Sequence, residues 1–153
     1  MNRIRVSAKT WVLVCDGSKA LLFQNAGDAQ AITLKIVERL VETHPPTRDL
    51  GTDRPGRVHE SMGSSRSSME DTDWHQRAED KFVREIAAKI DALVRSAAIT
   101  ALVVAAPPKV LGELRNCMSQ ATRELIVGEI AKDMVKLPTA EIERHLAATG
   151  ELR

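Results

Sequence analysis

Apolar residues in this chain follow two rhythms. Up to residue 41 they come in short runs, and from residue 82 they recur at helical spacing. The first run, Trp11-Val-Leu-Val-Cys15, contains no polar residue, as expected of a strand covered on both faces. Asp16-Gly17-Ser18 separates it from a second run, Lys19-Ala-Leu-Leu-Phe-Gln24. That spacing predicts a β-hairpin, with Gly17 taking the positive φ of a tight reversal. Asn25 to Ala29 is a turn cluster. Ile32 to Val41 then predicts a third strand, with Ile32, Leu34, Ile36 and Glu38 on one face and Thr33, Lys35 and Val37 on the other.

Asp73-Trp-His-Gln76 resembles a capping box and predicts a helix start. Phe82, Ile86, Ile90, Leu93 and Ala97 follow at helical spacing, a stripe about six turns long. Thr100 to Ala105 is a wholly apolar buried strand. Pro107-Pro108 opens a second helix with Val110, Leu111, Leu114 and Met118 inward. Leu125 to Ile130 predicts a fifth strand, although Ala121 to Leu125 could instead prolong the helix. A last helix begins near Pro138-Thr139 and turns Ile142 and Leu146 inward. The order β-β-β-α-β-α-β-α predicts an α/β fold: a mixed five-stranded, ribonuclease H-like sheet with the first strand in its middle and helices on its faces.

Between Glu42 and Asp73 neither rhythm is visible. Pro45, Pro46, Pro55, Gly51, Gly56, Gly63 and Ser64-Ser-Arg-Ser-Ser68 predict a long flexible loop at about 43–73. It interrupts what is otherwise a single domain, 1–153. Arg48, Arg54, Arg57 and Arg66 are spread through it among Asp49, Asp53 and Glu60. With His75 and Arg77 they form a candidate partner-binding set, because guanidinium groups grip phosphates or acidic side chains in pairs of hydrogen bonds.

A net charge of +1 over 153 residues excludes a strong overall field for nucleic acid or anionic lipid, though not a local patch. At 3% aromatic, the core must be mainly aliphatic. Met1 to Ser7 has no apolar signal core, and no apolar run approaches the roughly 20 residues that span a bilayer. The expected location is the cytoplasm, without membrane insertion. Cys15 and Cys117 are far apart in sequence and are expected to be small, buried, reduced thiols.

Asp16 closes the first strand, where a metal-binding carboxylate would stand. Two-metal hydrolysis needs several convergent carboxylates, and the fourth strand ends in Ala105-Ala-Pro-Pro108, which offers none. Asp16 is therefore expected to hold turn amides. Asp16, Ser18 and Lys19, with Lys9 nearby, are a candidate phosphate contact, although Asp-Gly-Ser lacks the length and following helix of a phosphate-binding loop. His44, His59, His75 and His145 show no metal-ligand spacing, and Cys117 has no activating partner visible in sequence. No catalytic residue, metal or cofactor is predicted.

Several stretches together resemble a known family: Trp11-Val-Leu-Val-Cys-Asp-Gly-Ser-Lys-Ala20 with Phe23; Val104-Ala-Ala-Pro-Pro-Lys-Val-Leu-Gly-Glu-Leu-Arg115; Glu129-Ile-Ala-Lys-Asp133; and Leu137-Pro-Thr-Ala-Glu-Ile-Glu-Arg-His-Leu146. They resemble the bacterial host-attachment family over nearly the whole chain, with Met134-Val135 standing where a Leu-Thr pair is expected. That family is in turn similar to the middle domain of archaeal and eukaryotic peptide release factors. There, a Gly-Gly-Gln loop precedes the long helix and triggers peptidyl-tRNA hydrolysis; this chain has no Gly-Gly-Gln. The resemblance implies a non-enzymatic binding or adaptor protein that presents the Arg/Ser segment to a ribosome, RNA or protein partner. The alternative is a peptidyl-tRNA hydrolase lacking that motif, with His59, His75 or Gln76 positioning water.

Overall fold

A computed structural model describes the backbone of residues 5–42 and 59–151, and the side chains of 5–42 and 74–148. Trp11–Cys15 forms β1, Lys19–Asn25 forms β2 and Leu34–Val41 forms β3. Helix α1 runs over His59–Arg95, followed by β4 at Leu102–Ala106 and α2 at Pro108–Cys117. Then come α3 at Gln120–Leu125, β5 at Ile126–Ala131 and α4 at Thr139–Glu151. The strands form one mixed sheet in the order β3-β2-β1-β4-β5, so β1 is central, as its unbroken apolar run predicts. It pairs antiparallel with β2 (Trp11 opposite Gln24) and parallel with β4 (Trp11 opposite Leu102).

Alternate residues of β1 enter two separate cores. Trp11, Leu13 and Cys15 join Leu22, Phe82, Ile86, Ile90 and Leu114 beneath α1 and α2. Val12 and Val14 join Phe23, Leu34, Met134, Ile142 and Leu146 beneath α4. Burying a side chain of this kind contributes about 1.5–3 kcal/mol, and β1 buries all five of its residues.

Four expectations need correcting. The long helix starts at His59, so Asp73 lies inside it and is not its cap. The 59–73 part of the predicted loop is therefore helical, and residues 43–58 lie outside the described residues. Residues 59–73 contain no proline, and Met62 and Met69 are their only large apolar side chains. A run so poor in apolar residues leaves no hydrophobic stripe to read. Next, the regular alternation expected in β3 is broken by a bulge, because Leu22 pairs with Glu38 while Phe23 pairs with Ile36. Leu34 consequently joins the α4 core and Leu40 packs on the α1 core. An extra residue in one strand reverses the facing of everything beyond it.

Gly17, thirdly, does not enter the left-handed region; what demands glycine there is space, since a Cβ would meet the Glu79 carboxylate. Positive φ is instead found at Lys9 (70°) and Ala97 (67°). Ala97 ends α1, where the Ala98 and Ala97 amides return to the carbonyls of Leu93 and Val94, a cap that normally selects glycine. Finally, Cys117 is exposed, and only Cys15 of the two is buried. Cys117 is the last residue of α2, past the last of its buried residues, Leu114.

Helix α3 answers the ambiguity at Ala121 to Leu125: it is a separate helix. Ser119 caps it by accepting the Thr122 amide. Asp91 of α1 accepts the Thr122 hydroxyl at 2.5 Å and the Ser119 amide at 3.2 Å. A new helix start held by an outside carboxylate ends the preceding one.

Candidate functional site

Parallel neighbours β1 and β4 end side by side, and in open α/β sheets the space beyond such carboxyl ends is where ligands settle. A cleft of about 430 Å³ opens there, lined by Asp16, Gly17, Ser18, Glu42, His75, Glu79, Pro107, Lys109 and Val110. Three chain segments far apart in sequence meet at it. The hairpin turn supplies Asp16 to Ser18, α1 supplies His75 and Glu79, and the start of α2 supplies Lys109. Glu42 is brought in by the end of β3, its amide donating to the Ser18 carbonyl at 2.9 Å.

Asp16 does what the sequence predicts of a turn residue. Its Oδ1 accepts the Ser18 amide at 2.8 Å and the Lys19 amide at 2.9 Å. Lys109 ties the second helix to the first: its ammonium donates to Gln76 at 2.6 Å and to Glu79 at 3.2 Å. The hydrogen bond to Glu79 is the main reason the Lys109 pKa is raised from 10.5. Gln76 in turn donates to Glu79 and to Asp80 at 3.0 Å.

The acidic residues near Asp16 come from elements other than β4. Strand β4 supplies none, but Glu79 and Glu42 share the cleft with Asp16. Glu79, Asp80 and Glu113 each place an oxygen within 4.8 Å of the others, a set that could hold a cation. The Lys109 ammonium lies 3.2 Å from Glu79 and 4.0 Å from Glu113. It thus brings a fixed positive charge among those carboxylates. Burial raises the Glu113 carboxyl pKa, and Glu79 raises it further against the opposing pull of Lys109. Spacing along the sequence hides this cluster because α1 and α2 contribute to it jointly; the Lys109–Glu113 pair at i,i+4 is its one legible trace.

Of the predicted site residues, Asp16, Ser18 and His75 meet in the cleft, and Lys19 flanks it through its amide. Arg77 is exposed on α1. Arg66 lies within α1, but its side chain, like the whole of Arg48, Arg54 and Arg57, is outside the described residues. Below the cleft, the Cys15 thiol is pushed up to about 12 by burial, then by Asp16 and Asp133. It is a core group and not a nucleophile.

Among the described residues no helix is long and apolar enough to cross a membrane. No curated protein matches the chain. The family model described as "Protein required for attachment to host cells" matches residues 11–146, from the first residue of β1 into α4. The match takes in the turn, the long helix and the start of α2 that together build the cleft, and the chain belongs to this host-attachment family.

Proposed function

We propose that this protein works by holding a macromolecular partner, as a non-enzymatic adaptor acting in the cytoplasm, with the cleft beyond β1 and β4 as part of its contact surface. One observation carries the reading: Asp16 and Lys109, two charged groups that reach the cleft, are held by neighbours within the protein. Asp16 is fixed on the turn amides and Lys109 on Gln76 and Glu79. A general acid or base must be free to exchange a proton with substrate. A recess whose donors and acceptors are held in place suits recognition, where fixed groups give specificity. His75 lines the cleft and is exposed on α1, and Arg77, two residues on, is exposed on the same helix. In this reading Arg48, Arg54, Arg57 and Arg66, which precede them in sequence, add guanidinium groups to the same contact.

Ribosome co-sedimentation over a salt series, followed by a peptidyl-tRNA hydrolysis assay, tests the proposal. Salt-sensitive association without turnover is the expected result. Turnover that disappears in His75→Ala or Gln76→Ala would replace the adaptor with a release-factor-like hydrolase. If the chain does not sediment with ribosomes, the partner is a protein, to be sought by pull-down with and without residues 45–70.

A further inference from the structure

Strand β3 is the outer strand on one side of the sheet, and among the described residues no other strand pairs with its outer edge. The Glu42 amide donates to the Ser18 carbonyl, and the Thr33 carbonyl accepts the Ala26 amide, so both residues turn their backbone groups toward β2. Backbone direction alternates along a strand. Once the bulge at Val37 is counted, Leu34, Ile36, Arg39 and Val41 are the residues that turn outward. The Leu34 amide is taken by the Glu143 carboxylate at 2.8 Å. Leu34 enters the α4 core and Leu40 packs on the α1 core, which puts Ile36, Arg39 and Val41 together on the α4 face. Ile36 and Val41 are 44% and 58% exposed. Arg39 stands exposed between them and makes no ion pair. The acids nearest to it in β3 lie on the α1 face: Glu38 is held by Lys89 at 2.9 Å, and Glu42 follows Leu40 by two. Glu143, the acid that reaches β3 from α4, is engaged at Leu34, five residues from Arg39.

We infer that this edge takes an extended segment of a partner protein as an added strand, one that sets a carboxylate opposite Arg39 and apolar side chains opposite Ile36 and Val41. Open amides and carbonyls at strand spacing are matched by another extended chain, which satisfies them in register. The side chains then set its sequence. Directly opposed residues share a face, so the added strand reads apolar, acidic, apolar at alternate positions. A second copy of this chain is the poorer occupant. Twofold antiparallel pairing of β3 with itself brings Arg39 opposite Arg39, Ile36 or Val41, and offers it no acid. Ile36, Arg39 and Val41 lie outside the cleft lining. The inference therefore goes beyond the reading given above, and ribosome co-sedimentation does not decide it.

The test is NMR on the full chain, by amide hydrogen exchange and by titration with the end-blocked peptide Ser-Val-Thr-Glu-Thr-Val-Ser. In the free chain the outward amides of Arg39 and Val41 should exchange about tenfold faster than the inward amides of Leu40 and Glu42. The peptide should slow them and shift the resonances of Ile36 to Val41. Lysine in place of the peptide's glutamate should weaken binding about fivefold, and Arg39→Glu should reverse that preference. Arg39 is exposed and unpaired, so the variant should keep the parent's far-ultraviolet circular dichroism. Lys132→Glu, the same charge change at an exposed position just past β5, should keep the parent's preference. Arg39 and Val41 amides protected in the free chain at every concentration would show the edge covered from within. Protection that rises with protein concentration would assign the edge to a second copy. Either result overturns the inference, as would equal binding of both peptides, or no shift in β3 at about 1 mM peptide.

Discussion

The two ends of the β1–β2 hairpin use the same chemistry for opposite purposes. At one end Asn25 is 1% exposed. Its side-chain amide donates to the carbonyls of Val6, Ser7 and Asp28, and its oxygen accepts the Gly27 and Thr33 amides. At the other end Asp16 accepts two amides in the same manner, but it is half-exposed and looks into the cleft. One end is sealed by a polar knot inside the protein. The other uses a turn to hold a surface open. The difference teaches that a short polar side chain caps a turn in either setting, and that burial decides whether it serves stability or presentation.

Five experiments break or sharpen that contrast. The largest effect concerns the floor of the open end. Buried, with its thiol pushed up to about 12, Cys15 should react with a thiol reagent far more slowly than exposed Cys117. A single fast thiol per native chain and two after unfolding are expected; two fast thiols would mean the cleft reaches the core. Next is Asn25→Ala, which strands buried carbonyls and amides and should cost about 3 kcal/mol in urea denaturation. A loss under about 1 kcal/mol would show that water reaches this end as well.

Asp16→Ala should cost less, about 1 kcal/mol, because the freed amides can turn to solvent. If it costs as much as Asn25→Ala, the two ends are not different in kind. Gly17→Ala should be milder still, about 0.5 kcal/mol, because the new methyl meets the end of the flexible Glu79 side chain. Displacing Glu79 removes the chief cause of the raised Lys109 pKa. Lysine titration by NMR should then show Lys109 returning toward 10.5. In the parent, a raised lysine contributes stability that is complete below its unfolded pKa and is lost as pH climbs through the folded value.

The smallest effect is at Glu113. Its folded pKa lies above the ordinary 4.5, so its ionised form costs stability above that folded value, and the cost fades as pH falls toward 4.5. Glu113→Gln should leave the neutral-pH denaturation midpoint the same or slightly higher, and should remove that part of the pH dependence. A clear drop at neutral pH would mean that Lys109 needs Glu113 to stay in place.

Several elements were legible in the sequence for a stated reason. The unbroken Trp11–Cys15 run marks a strand covered on both sides, and β1 has two cores beside it. Pro108 opens α2, where a missing amide proton costs nothing. Asp16 as a turn cap was readable because its bonds reach only two and three residues along the chain. The start of α1 was not, since residues 59–73 hold too few apolar residues to show a period. Nor was the bulge at Val37, which depends on what β2 offers across the sheet. The acids gathered around Lys109 were hidden because two helices contribute them, 34 residues apart from Glu79 to Glu113.

The sequence by itself determined which runs are interior, where the turns fall, and that the chain makes a mixed α/β sheet, because each depends on neighbours a few residues away. Only the tertiary structure decided that Glu79 fills the space beside Gly17, that Lys109 joins two helices across the mouth of a cleft, and that Asp91 of α1 holds the start of α3. Those are relations between segments that meet only after the sheet has formed, and they rest on shape and charge that no single stretch of chain contains.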